Sequence, residues 1–105
     1  MAKFLKVQTK TDRRNSKLLD KVPAENVFYC HDGTIFTDVN ELAAGLATMA
    51  DETFAFHSNP EKQDFSNWVR DVIGDKQLAN NLARAESRLE ATEAVVARIA
   101  FLSGK

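Results

Sequence analysis

Asp64-Phe65-Ser66-Asn67-Trp68-Val69-Arg70-Asp71-Val72-Ile73-Gly74-Asp75 is the stretch that decides the fold, and it holds the only tryptophan of the chain. Phe65, Trp68, Val69, Val72 and Ile73 recur at helical spacing and form one apolar stripe, which must face a core; Asn67, Arg70 and Asp71 fall off that stripe. Asp64 is placed to cap this helix by accepting from the free backbone N–H groups of its first turn. Gly74 ends it, because the residue after a helix usually takes a positive φ that glycine reaches at little cost. Asp75 is placed to cap the next helix. Trp68 reads as a core anchor rather than a ligand platform. Burying it and Phe65 contributes roughly 2–3 kcal/mol each, a large share of what stabilises a small domain.

Working outward, Val27-Phe28-Tyr29-Cys30 is a β-type run, His31-Asp32-Gly33 is a turn signal, and Thr34-Ile35-Phe36 is the returning strand. A lone two-stranded hairpin is marginal in water, so its apolar face must lie against the helices. Asp38 and Glu41 have capping-box spacing for a helix whose buried stripe is Val39, Leu42, Ala43, Leu46 and Met49. Gly45 inside that helix costs roughly 1 kcal/mol relative to Ala and suggests close packing with another helix. Asp51 is placed to cap a short helix over Glu52–His57 with Phe54 inward, and Ser58-Asn59-Pro60 breaks the chain.

Beyond Asp75, Leu78, Ala79, Leu82 and Ala83 continue a helical pattern, and Ser87-Arg88-Leu89-Glu90 is an S-x-x-E box that predicts a fresh helix start. The rival is one continuous helix from Asp75 to Ser103 with a coiled-coil-like seam; a break near Glu86–Ser87 is favoured. The last segment is apolar on more than one face, a width hard to bury in a small monomer, so Val95, Ile99, Phe101 and Leu102 are expected to drive self-association. The expected fold class is α+β, mainly helical: a short β-hairpin packed on four or five helices.

One hundred and five residues, 44% of them apolar and 28% charged, bound the chain to one ordinary globular core. Residues 1–22 carry Lys3, Lys6, Lys10, Arg13, Arg14, Lys17 and Lys21 against two aspartates, a net of +5, whereas residues 23–105 carry −6. The expected organisation is therefore a basic, partly flexible leader over 1–22 and a single compact domain over 23–105. Within the leader, Phe4-Leu5-Lys6-Val7 reads as a short edge strand that would give the hairpin a third strand. Residues 8–17 are expected to be mobile, and Leu18, Leu19 and Val22 to pin the leader's end to the body. No apolar run approaches the ~20 residues of a membrane span. Met1 to Lys10 lacks the apolar centre of a secretory signal. The single Cys30 suits a reducing compartment, and a cytoplasmic location is expected.

Cys30, His31, Asp32 and His57 are residue types that serve in metal or nucleophile sites, but no C-x-x-C or H-x-x-x-H spacing joins them. Neighbours on a strand point to opposite faces, which separates Cys30 from His31. No metal or cofactor is expected, and Cys30 reads as a buried, inert thiol. His57 is expected to hydrogen-bond Asn67 or Asp64 across the Ser58–Gln63 loop, which makes His57 and Asn67 candidates for a structural clasp. With no phosphate-cradling loop, nucleophile elbow or dinucleotide fingerprint, no catalytic residue is assigned and an enzyme is not expected.

The pattern Phe28-x-x-x-Asp32-Gly33, Glu41-Leu42, Phe54-x-x-His57, Asp64-Phe65-x-Asn67-Trp68-Val69-x-Asp71-Val72-x-x-Asp75 and Leu78-Ala79 resembles a family of small prokaryotic domains, frequent in archaea, that is classed as of unknown function. The resemblance spans roughly residues 27–84, with the tryptophan segment its most specific part. It implies a recurring domain with this core, implies no chemistry, and singles out His57 and Asn67 as polar members of the pattern.

Two function classes remain. The first is a non-catalytic protein-interaction or assembly module, its partner another protein or a second copy in a homo-oligomer. The alternative is a nucleic-acid- or ribosome-associated protein whose leader cations contact phosphate, with a steep salt dependence and no recognition helix behind it.

Overall fold

Phe28 is the hub. Its ring lies 5.2 Å from Phe65, 5.1 Å from His57, and 5.8 Å from both Phe36 and Trp68. The computed structural model of the chain describes residues 17–104. The chain is α+β and mainly helical. After a 3₁₀ turn at Ala24–Asn26, β1 (Phe28–Tyr29) pairs antiparallel with β2 (Ile35–Phe36). Then come α1 (Val39–Thr48), α2 (Asp51–His57), a second two-stranded ladder of β3 (Ser58–Asn59) and β4 (Lys62–Gln63), α3 (Asp64–Trp68), α4 (Lys76–Arg84) and α5 (Arg88–Leu102). α3 runs on as a π-helical turn, Val69–Ile73.

Strand alternation sorts the first hairpin. Phe28 and Phe36 pair across the strands and face the core, while Tyr29 and Ile35 pair facing outward. Gly33 closes its turn at φ 94°, donating to the Cys30 carbonyl at 2.9 Å, and the Asp32 carboxylate accepts from the Thr34 N–H at 2.9 Å.

Several helix ends behave as their local sequence dictates. Asp38 accepts from the Glu41 N–H at 2.8 Å, while the Glu41 carboxylate reaches back to the Thr37 N–H at 2.7 Å. Asp75 accepts from the Leu78 N–H at 3.1 Å, and Ser87 from the Glu90 N–H at 3.1 Å. The Ser87 cap separates α4 from α5, so the continuous-helix alternative does not hold. Gly74, at φ 91°, turns the chain out of α3 and donates to the Val69 carbonyl at 2.8 Å. Trp68 is buried as an anchor, its indole N–H donating to the Asn26 carbonyl at 2.8 Å.

Other ends differ from expectation. Asp51 and Asp64 are first helical residues rather than caps, and each carboxylate is held by a side chain outside its own helix, Arg88 and His57 respectively. Arg88 donates from Nε to Asp51 at 2.9 Å and from Nη1 to the Leu46 and Ala47 carbonyls at 2.8 and 3.0 Å, so it closes the C-terminal end of α1 from across the fold. Asp64 is drawn back to His57. Ser58–Gln63, expected as a plain break, forms a tight ladder because the Asn59 side-chain oxygen accepts from both the Glu61 and Lys62 N–H groups, at 2.9 and 3.0 Å. Gly45 makes its close approach to the Phe36 ring of the hairpin rather than to a helix.

α5 packs along α1 and α4. This orientation corrects the self-association set. Val95 is fully buried, Leu102 is buried and Ile99 packs partly against the core; of the four, only Phe101 is exposed. Two helices together cover more of α5 than a single-sided stripe would need, which is why its apolar sequence is broad. α4 is tied to α5 by a buried ion pair in which Arg98 donates to Asp75 from Nε at 2.8 Å and from Nη2 at 3.2 Å.

The leader's end is anchored to the body. Leu19 and Val22 pack against the core, and the Val22 N–H donates to the Thr37 carbonyl at 2.8 Å. The expected Phe4–Val7 strand lies outside the described residues, as does the expected mobile stretch 8–17 apart from Lys17. No helix among the described residues is long and apolar enough to cross a membrane.

Candidate docking groove

Two polar clusters flank the core, and the first is the one expected at His57. The ring is buried. Its Nε2 accepts from the His31 backbone N–H at 2.9 Å, so the proton sits on Nδ1, 2.9 Å from the Asp64 carboxylate. Lys62 lies 3.4 Å from the same carboxylate and 3.8 Å from the centre of the Phe56 ring, on which His31 stacks at 4.0 Å. The cluster clamps the hairpin tip to the end of α2 and the start of α3. Asn67 has no part in it: it is exposed and accepts from Arg70 at 3.0 Å, because one helical residue past Ser66 turns it to the outer face of α3. The Nε2 lone pair is held by a backbone N–H, so the ring is bonded at both nitrogens. Burial pushes the Cys30 thiol above its ordinary value, in keeping with an inert thiol. Among the described residues no three His, Cys, Asp or Glu side chains converge as metal ligands would.

The second cluster surrounds Lys21. Its ammonium lies 3.0 Å from Asp38 and 3.5 Å from Glu41, and 3.1 Å from the Thr37 hydroxyl. The hydrogen bond to Asp38, foremost, raises the Lys21 pKa. Glu41 is held below its ordinary value, chiefly by the Thr37 N–H and hydroxyl and further by Lys21. Lys21, expected to contact phosphate, is thus committed to two carboxylates of its own chain. Lys17 is exposed; Lys3, Lys6, Lys10, Arg13 and Arg14 lie outside the described residues.

From Glu41 a groove of about 360 Å³ runs between β2 and α1, lined by Thr34, Ile35, Phe36, Glu41, Ala44, Gly45 and Thr48. Its α1 wall is the stripe 41, 44, 45 and 48, small beyond Glu41 and set beside the core stripe of Val39, Leu42 and Leu46. Its other wall is β2 alone. No β1 residue lines it, which places it along the β2 edge that faces away from β1.

Among the described residues the backbone of that edge is only partly paired. Cys30 donates to the Thr34 carbonyl at 2.8 Å and Phe28 pairs with Phe36, so the polar groups of Thr34 and Phe36 are turned to β1. Alternation turns those of Ile35 and Thr37 to the outer edge. There the Val22 N–H takes the Thr37 carbonyl, and among the described residues nothing pairs with the backbone of Ile35. Ile35, 48% exposed, gives the groove an apolar rim.

In the sequence, Thr34-Ile35-Phe36 reads only as a returning strand and α1 only by its core stripe. The signal for the groove was present in the spacing of Ala44, Gly45 and Thr48, three small residues on one helical face. The chain matches no family model, no curated protein and no solved structure, so the groove itself must carry the functional reading.

Proposed function

We propose that the chain is a non-catalytic protein-interaction module that takes an extended segment of a partner protein along the outer edge of β2, its side chains entering the β2–α1 groove. The observation that carries this reading is that, among the described residues, nothing pairs with the backbone of Ile35 beside an apolar groove. An added strand gains affinity from main-chain hydrogen bonds to such an edge, and alternate side chains gain specificity from the groove beside it. Edges left open in this way are normally covered or blunted, since they invite pairing with another chain. The β2 edge carries Ile35 between Thr34 and Phe36, with no lysine or proline in Thr34–Thr37 to repel a strand.

The test is selection of displayed peptides by the full chain, repeated with Ala44→Arg. Ala44 is exposed on the groove wall, so arginine fills the groove without entering the core. The expected result is enrichment of extended apolar peptides by the wild-type chain and loss of that enrichment by the variant. Equal enrichment by both proteins contradicts the reading.

A further inference from the structure

We propose that the strand taken up by the β2 edge is β2 of a second copy of the chain, the two running antiparallel about a two-fold axis at Ile35. The proposal rests on the reading of that edge as a strand acceptor and names the strand it accepts.

The carrying observation is how short the unpaired part of the edge is. After Ile35, the Thr37 N–H donates to Glu41 at 2.7 Å and the Thr37 carbonyl accepts from Val22 at 2.8 Å. Before it, the Thr34 N–H donates to the Asp32 carboxylate at 2.9 Å, the Thr34 carbonyl accepts from Cys30 at 2.8 Å, and the chain turns away at Gly33. Within β2, what remains among the described residues is one N–H and one C=O, both on Ile35. Two residues directly opposite each other in an antiparallel pair exchange both bonds. Ile35 of a second copy supplies the one acceptor and the one donor required, and the same patch then serves on both molecules, as a closed two-fold dimer demands. A longer foreign strand would bring further backbone groups to Thr37, which has none left to give.

The side chains fit the same axis. Tyr29 and Ile35 pair on the outer face of the hairpin, 68% and 48% exposed. Joined at Ile35, two hairpins set these residues in one apolar row of four, with cross-strand neighbours about 5 Å apart. On the inner face, Thr34 of one copy stands opposite Phe36 of the other, which directs a small β-branched side chain into the groove. Ala44, Gly45 and Thr48 of α1 then face their counterparts, and small residues there permit the ~8–10 Å approach at which helices pack. Glu41, the one ionised lining residue, sits at an end of the groove, so the two-fold holds the two carboxylates apart and leaves the centre of the contact uncharged. The strand overlap is Thr34–Phe36, ~10 Å, with one helix face beside it. That places the interface at the small end of specific contacts, under about 1,200 Å² in total, and makes the dimer weak and reversible.

The experiment is sedimentation equilibrium on the full chain from ~1 μM to ~1 mM, for the wild type, Ile35→Lys, Ile35→Glu and an equimolar mixture of the two variants. Ile35 faces outward, so neither charge enters the core, and Trp68 fluorescence reports that each protein is folded. The expected result is a reversible wild-type dimer and self-association at least about tenfold weaker in either variant, because like charges stand directly opposite. The mixture, where opposite charges meet across the axis, regains the dimer. A wild-type chain that stays monomeric to ~1 mM overturns the proposal, as does a dimer that Ile35→Lys leaves intact or one that the mixture fails to restore. Peptide selection judges the acceptor separately: peptides enriched by a monomeric chain and lost on Ala44→Arg would keep β2 as a strand acceptor for another protein while removing the second copy as its partner.

Discussion

Gly45→Ala offers a sharp test of the hairpin–helix contact, because two effects of opposite sign meet at one atom. On a free helix face this exchange stabilises by about 1 kcal/mol. Here the added Cβ would overlap the Cζ and Cε1 atoms of the Phe36 ring. That ring is 1% exposed and stacked on Phe28 at 5.8 Å, so it cannot yield without disturbing the aromatic core. Overpacking a core costs about 1–3 kcal/mol, and interference with two ring atoms at once places the cost in the upper half of that range. The net expectation is a destabilisation of about 1–2 kcal/mol, hence a Tm lower by roughly 4–16 °C. Urea unfolding followed by Trp68 fluorescence measures it, with an unchanged m-value showing that the unfolding transition itself is the same. In a Phe36→Leu background the ring is gone and Gly45→Ala should become neutral or stabilising, a coupling of about 1–3 kcal/mol. If Gly45→Ala raises the urea midpoint with Phe36 in place, the ring does not press on α1 and the groove lacks the wall described for it.

Other perturbations probe other joints. Arg98→Ala leaves the Asp75 carboxylate, 2% exposed, without its cation, and should cost about 3–5 kcal/mol in urea unfolding; adding Asp75→Asn should recover part of that, and a loss under about 1 kcal/mol would contradict the buried pair. Asp64→Ala removes the acceptor of the buried His57 Nδ1–H and should cost about 1–3 kcal/mol, whereas Asn67→Ala should stay within about 0.5 kcal/mol; the reverse order would restore Asn67 as the partner of His57. The fold favours the ionised Glu41, so its contribution is complete above its ordinary value of 4.5 and disappears as pH falls through its lower folded value. Glu41→Gln should therefore lose less stability than wild type over that interval, and parallel stability–pH curves would refute the assignment.

Features settled within a few residues were legible in advance. Gly33 and Gly74 take positive φ, Asp38, Asp75 and Ser87 cap helices, and the stripe through Phe65, Trp68 and Val69 turns inward. A cap or a tight turn is decided by atoms at most a few positions apart, and an apolar stripe needs only helical periodicity. The clasp is half legible: the sequence points to His57 but offers both Asp64 and Asn67 as its partner, a choice that the starting residue of α3 makes.

What the chain order does not contain is who meets whom across the fold. Asp51 and Asp64 look like any capping aspartate, yet Arg88 and His57 claim them from outside their own helices. The apolar width of α5 records how much of that helix is covered, not by which neighbours; packing between α1 and α4 sends Val95 and Leu102 inward and leaves Phe101 out. The groove arises the same way, since its two walls are a strand edge and a helix face whose residues touch only after the hairpin has docked. Local backbone preference writes the elements into the chain, but a surface between elements exists only once burial has fixed their relative placement.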